Sequence, residues 1–147
     1  MRLSPNFTLA ELSVTLTGLP NTPPPEIVEK LRAVCVNVLE PVRAHFGRPV
    51  TVNSGYRSPA VNRAVKGSNT SQHVKGEAVD FEVPGVGNGV VAAWVRDNLD
   101  FDQLILEAHY PHLPSSGWVH VSWTPARRRK SVLTFTPGKG YTKGLPA

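Results

Sequence analysis

Ser71-Gln72-His73-Val74-Lys75-Gly76-Glu77-Ala78-Val79-Asp80-Phe81 joins a histidine to an aspartate through a turn and then runs into a strand. From Val79 to Val83 the residues alternate, with Val79, Phe81 and Val83 on one face and Asp80 and Glu82 on the other, the period of a half-buried strand. Asp80 is thereby set on the polar face of an element in which aspartate is depleted and asks for a reason. Gly76 lets the chain turn so that His73 folds back over Asp80, and an imidazole plus a carboxylate suit a divalent metal. Two donors do not complete a site, because a catalytic zinc takes three protein ligands and leaves a fourth position open. His120, in Gly117-Trp118-Val119-His120-Val121-Ser122-Trp123, is the best third donor. Its segment alternates too, with Val119 and Val121 on one face and Trp118, His120 and Ser122 on the other. A strand histidine that only satisfies its own hydrogen bonds is the plainer reading of His120 by itself.

Working outward toward the N-terminus, Thr8-Leu9-Ala10-Glu11 has the spacing of a capping box, and Phe7 and Leu12 are placed as its hydrophobic staple. A short helix should start there and be broken by the stretch from Gly18 to Pro25. Ile27, Leu31, Val34, Val38, Val42 and Phe46 recur at helical spacing and predict a long helix from about Pro24 to Phe46, kinked at Pro41 and ended by Gly47. Cys35, the single cysteine, falls in that apolar stretch and reads as a small core residue. Pro49 to Asn53 reads as a strand that delivers Arg57 to a turn, and Ser58 can cap a helix opened by Pro59 and reaching about Val65. Arg57 is either a functional side chain at a strand end or a surface ion-pair partner. Ser71 serves equally as a turn-stabilising hydroxyl.

Toward the C-terminus, Val90 to Leu99 suits a helix covering the sheet through Val91, Trp94 and Val95. Strands near 102–108 and 117–123 can pair as a hairpin across a long loop, and a last strand spans about Ser131 to Thr136. From 137 to 147 little can be buried, so a loosely held tail is expected. Helices mixed with neighbouring antiparallel strands indicate an α+β fold. The 147 residues fit one domain, 1–147, with no disulfide framework. A net charge of +5 favours an anionic partner, nucleic acid or a bacterial envelope. No nucleic-acid motif or series of stacking aromatics accompanies the charge, so no nucleic-acid partner is expected. The densest basic run, Arg127-Arg128-Arg129-Lys130, reads as a solvated turn between strands. No apolar run is long enough to span a bilayer, and Met1 to Asn6 lacks the apolar core of a signal peptide.

Four segments together carry a resemblance: Ser54-Gly55-Tyr56-Arg57-Ser58-Pro59, the Ser71 to Asp80 stretch, Phe101 to Glu107, and Trp118-Val119-His120-Val121-Ser122. In this order, over roughly residues 5 to 123, they resemble the M15 family of zinc peptidases, and most closely its phage-associated members similar to zinc D-Ala-D-Ala carboxypeptidases. The resemblance implies the hedgehog-like zinc DD-peptidase fold, a small antiparallel sheet with helices packed on one face. It also implies that His73, Asp80 and His120 bind Zn2+. Arg57 would hold a substrate carboxylate or polarise the scissile carbonyl, and Ser71 would contact substrate or support its neighbouring histidine.

The implied activity is zinc-dependent hydrolysis of an amide bond in peptidoglycan stem peptides, by a carboxypeptidase or a crosslink endopeptidase. The setting would be cell wall degradation by a phage endolysin or virion-associated lysin. Such a protein is expected to be a monomer, made in the host cytoplasm without a signal peptide and acting on the wall after release. Many members of the broader group place an acid three residues before the last zinc histidine, where this chain has Gly117. Glu107 is the expected substitute as catalytic base, because Gln103, Ile105 and Glu107 share a strand face that a hairpin brings beside His120. Glu77, Glu82, His109 and His112 are weaker candidates, Glu77 being expected to face solvent. The missing acid also supports an alternative, a non-catalytic zinc module that binds cell wall or forms part of a virion.

Overall fold

In the computed structural model, which describes residues 1–146, strands β1 (Arg2–Ser4) and β2 (Phe7–Thr8) pair antiparallel and lead directly into a single-turn helix, α1 (Leu9–Leu12). The capping box is formed: Thr8 Oγ1 accepts from the Glu11 N–H at 3.3 Å, and the Glu11 carboxylate accepts from the Thr8 N–H at 3.0 Å. Phe7 and Leu12, the expected staple, are both buried.

The helix expected over 24–46 runs as α2 (Pro25–Val34), a π-helical turn (Cys35–Leu39) and α3 (Glu40–Phe46). Pro41 has no N–H to donate, and its ring crowds the carbonyl one turn back. The strain is taken up just before it by the widened turn, in which the Glu40 N–H reaches back to the Cys35 carbonyl. Leu31, Val34, Cys35, Val38, Leu39 and Val42 form the buried stripe of this helix. Burial pushes the Cys35 thiol up to about 12, which leaves it an inert core residue.

Strand β3 (Thr51–Ser54) is followed by α4 (Pro59–Ala64), where Ser58 Oγ accepts from the Val61 N–H and Pro59 opens the helix as expected. The remaining elements are β4 (Ala78–Glu82), α5 (Asn88–Asn98), β5 (Gln103–Glu107), β6 (Trp118–Ser122), β7 (Ser131–Thr136) and β8 (Gly140–Lys143). The six strands β3 to β8 form one sheet in the order β3-β4-β6-β5-β7-β8. All neighbours are antiparallel except β5 and β7. That parallel pair arises because the chain leaving β6 crosses the start of β5, where Lys130 N–H bonds to Phe101 O and Ser131 N–H to Asp102 O. The fold is α+β.

One face of the sheet carries Val79, Phe81, Leu104, Leu106, Val119 and Val121, all fully buried in a core shared with the helices. Val91, Ala92 and Val95 of α5 enter this core, and Trp94 packs at its edge with its ring stacked on His45 at 4.5 Å. The opposite face keeps the polar residues of the same strands.

The stretch from 137 differs from the expected loose tail. Residues 140–143 turn back as β8 and pair with β7, and Leu145 packs against the core. Backbone pairing, which needs no apolar side chain, holds this segment. Ala147 lies outside the described residues.

Candidate metal centre

Strands β4 and β6 are registered so that Asp80 lies directly opposite His120, and β5 continues the row with Ile105 opposite His120. His73 arrives from the preceding turn. Gly76 makes that turn with φ +72°, and a Cβ there would also lie 2.7 Å from Ile27 Cγ2, so conformation and packing both require glycine. Asp80 Oδ1 stands 2.8 Å from His120 Nδ1 and 3.3 Å from His73 Nε2. The three residues offer one ligand atom each, all within 4.8 Å of one another.

The donor set can be tested against a metal. The Gly55 carbonyl, 2.7 Å from His73 Nδ1, can only accept, so Nδ1 carries a proton and Nε2, the nitrogen aimed at Asp80, is the one that a metal would take in exchange for its proton. Zinc with tetrahedral bonds of 2.0–2.2 Å would set its ligand atoms about 3.3 Å apart. Two imidazoles and a carboxylate are the donor types that ion takes, and the separations of Asp80 from the two histidines, 2.8 and 3.3 Å, are close to that spacing. Burial alone would raise the Asp80 carboxyl, but His73 and His120 beside it outweigh burial and hold it well below the usual carboxylate range. Asp80 therefore presents an anionic oxygen.

Arg57 and Glu107 flank this group in a cleft of about 660 Å³ that also includes Ser71. Arg57 is held from three sides: Nε donates to Ser54 Oγ at 3.2 Å, Nη1 to Asn62 Oδ1 at 3.4 Å, and Nη2 lies 3.5 Å from Asp80 Oδ2. Ser71 Oγ accepts from the His73 N–H at 3.2 Å, the turn-stabilising arrangement, while its side chain still lines the cleft. Glu107 pairs with Trp118, which makes it a diagonal neighbour of His120 on the same face. Burial raises its carboxyl above the ordinary value and the charge of Asp80 adds to this, against the opposing pull of His120 and Arg57.

Gly117 explains the missing acid. Its φ is +72°, and a Cβ there would collide with the Glu107 carbonyl oxygen and lie 2.8 Å from the carbonyl of Ala108. No side chain fits at this position in this backbone. The weaker alternatives to Glu107 lie elsewhere. Glu77, expected in solvent, is mostly covered and pairs with Lys30 at 3.6 Å on the far side of the turn. Glu82 bonds the amides of Asn53 and Asn88, His109 faces the Ser116 carbonyl, and His112 packs beside Tyr110 in the β5–β6 loop.

Sequence reasoning left Asp102, Gln72, Gly55 and Tyr141 without roles. Asp102 is completely buried and accepts from Gln72 Nε2 at 3.0 Å, which ties the residue before His73 to the start of β5. Both Gln72 and Asp102 stand inside the segments quoted for the resemblance, so a signal was present. Tyr141 reaches the cleft only because β8 forms, and nothing local marks it.

Residues 5–122 match the family model described as Peptidase M15, a span that holds His73, Asp80, His120, Arg57 and Glu107. The chain belongs to the M15 peptidase family. A search of the curated proteins finds no match. Membership in M15 makes the chain a hydrolytic peptidase, and peptidases of this family are typically zinc-dependent. The M15 match ends at residue 122, so the cleft wall contributed by Arg127, Arg129 and Tyr141 lies beyond it. Among the described residues no helix is long and apolar enough to cross a membrane.

Proposed function

We propose that this M15 peptidase hydrolyses an amide bond in peptidoglycan stem peptides, as a D-Ala-D-Ala carboxypeptidase or a crosslink endopeptidase, with Zn2+ held by His73, Asp80 and His120. The setting we propose is wall degradation by a phage endolysin or virion-associated lysin. The observation that carries the reading is the meeting of the His73–Asp80–His120 group with a carboxyl of raised proton affinity, Glu107, on the open face of one sheet.

Zinc bound by that group would supply Lewis acidity, polarising a carbonyl and making water acidic near neutral pH. Glu107 is the base: its carboxylate takes a proton from the attacking water and returns it to the leaving amine. Its partly buried position makes it a better proton acceptor than a solvated glutamate. Arg57, fixed by Ser54, Asn62 and Asp80, keeps part of its planar fork for the substrate's carboxylate or the oxygen that gains charge. Gly55 fixes the His73 ring through its carbonyl, and Ser71 holds the turn that carries His73.

Mass spectrometry of purified peptidoglycan after incubation with the zinc-loaded chain tests the reading. Release of free D-alanine identifies a carboxypeptidase, and opening of crosslinked dimers identifies an endopeptidase. Unchanged peptidoglycan with stoichiometric zinc would reject hydrolysis and leave the non-catalytic wall-binding or virion module.

A further inference from the structure

The turn between β6 and β7 contains the basic run that its composition marks as merely solvated. Two of its arginines instead form a wall of the cleft. Arg127 Nε lies 3.3 Å from Asp102 Oδ2, and Arg129 places Nε 2.7 Å from Oδ1 and Nη2 3.2 Å from Oδ2. The Arg129 N–H also reaches Oδ1, at 3.3 Å, and Gln72 Nε2 reaches Oδ2. These donors use up the acceptor capacity of one carboxylate. Asp102 is fully buried, whereas the Arg127 and Arg129 side chains remain 55% and 47% exposed. One buried negative charge therefore orients two guanidinium groups and neutralises only one of them. Among the described residues the Arg127 side chain hydrogen-bonds through Nε alone, which leaves both of its Nη groups unengaged. Lys75 lines the same cleft and adds a further positive charge, whereas Arg57 there is paired with Asp80.

A solvated ion pair would not need a fully buried carboxylate, nor would it be tied to the residue beside a candidate ligand. Through Gln72, Asp102 fixes these arginines relative to His73. We infer that Arg127, supported by Arg129 on Asp102, forms a second anion subsite of the cleft, which selects peptides bearing a carboxylate on a residue away from the scissile bond. The inference rests on the peptidase reading above and adds a substrate class to it: acidic peptides preferred over their amidated counterparts. Its two arginines lie beyond the residues that match the family, and the Asp102 and Gln72 that hold them lie within that span.

Two stem peptides that differ only in the second residue, γ-linked D-glutamate with a free carboxylate or its carboxamide, serve as the probe. Their dissociation constants are measured by calorimetry on the chelator-treated chain, and their kcat/KM values on the zinc-loaded chain. The acid form should bind and react about tenfold better, as a charge-assisted hydrogen bond to a fixed guanidinium implies. In Arg127→Gln the preference should fall to within about twofold, and Arg127→Lys should restore part of it. The Arg127 side chain is more than half exposed and makes one hydrogen bond, and an unchanged thermal melt of Arg127→Gln checks that the fold persists. Equal binding of the two peptides by the wild-type chain, or a preference that survives Arg127→Gln, overturns the subsite. Cleavage of both peptides at equal rates overturns the subsite and leaves the peptidase reading standing. Failure of both peptides to bind or react overturns both.

Discussion

Glu107 is the residue on which hydrolysis by this cleft turns. Its carboxyl is raised by burial and by Asp80, so it must lose its proton at a pH above that of an ordinary glutamate before it can act as a base. The acid limb of kcat/KM should accordingly lie above the ordinary glutamate value of about 4.3. A raised acid also means that its charged form is disfavoured in the folded chain, so at neutral pH it costs stability, and the cost is relieved as pH falls. Glu107→Gln should therefore retain near-full zinc and melt no lower than wild type, yet lose most turnover, a factor of about 100 or more. Lost zinc together with lost turnover would instead make Glu107 a carboxylate that positions His120. Wild-type turnover would exclude it as the base.

Among the elements, the N-terminal hairpin is joined to the long helix by two side chains, Arg32 of α2, whose Nη1 donates to the Leu3 carbonyl at 2.8 Å, and Glu40. Glu40, where the π-helical turn meets α3, accepts from Ser4 Oγ at 2.6 Å, Asn6 N–H at 2.8 Å and Asn6 Nδ2 at 2.7 Å. Burial would raise its carboxyl, but the bonds from Asn6 and Ser4 prevail and hold it below the ordinary value. A depressed folded pKa contributes stability that is present above the unfolded value and lost as pH falls through the folded one. Glu40→Ala should cost about 1–2 kcal/mol at pH 7 by urea titration, and the difference from wild type should shrink near pH 3. The capping box, the strand alternation around Asp80 and His120, and the β5–β6 hairpin were legible because each is a local pattern of residue types. The π-helical turn was not, since a proline announces a defect without saying how the backbone absorbs it. Strand β8 was hidden because Gly-Tyr-Thr-Lys has no alternation to bury and is held by β7 through backbone bonds. The Asp102 clamp was hidden too, since it joins residues distant in sequence whose meeting depends on the parallel β5–β7 pairing.

At the scale of the whole molecule, the three candidate ligands come from two strands and a turn, which are brought together only when the sheet has formed. A metal held there binds the folded chain and not the unfolded one, so its binding energy becomes folding energy. At a free zinc concentration 100 times the dissociation constant the gain is about 2.7 kcal/mol. For a chain of this length that is a rise in Tm of roughly 5–10 °C, at about 2–4 °C per kcal/mol. Zinc added to the chelated protein should produce this rise at one ion per chain, and His120→Ala should abolish it. His109→Ala is the matched control, because His109 is a buried histidine that faces the Ser116 carbonyl and lies outside the ligand group. It should lower the starting Tm without removing the zinc-dependent rise. A rise that persists in His120→Ala would mean that zinc binds elsewhere on the chain, and the assignment of His73, Asp80 and His120 as its ligands would then be lost.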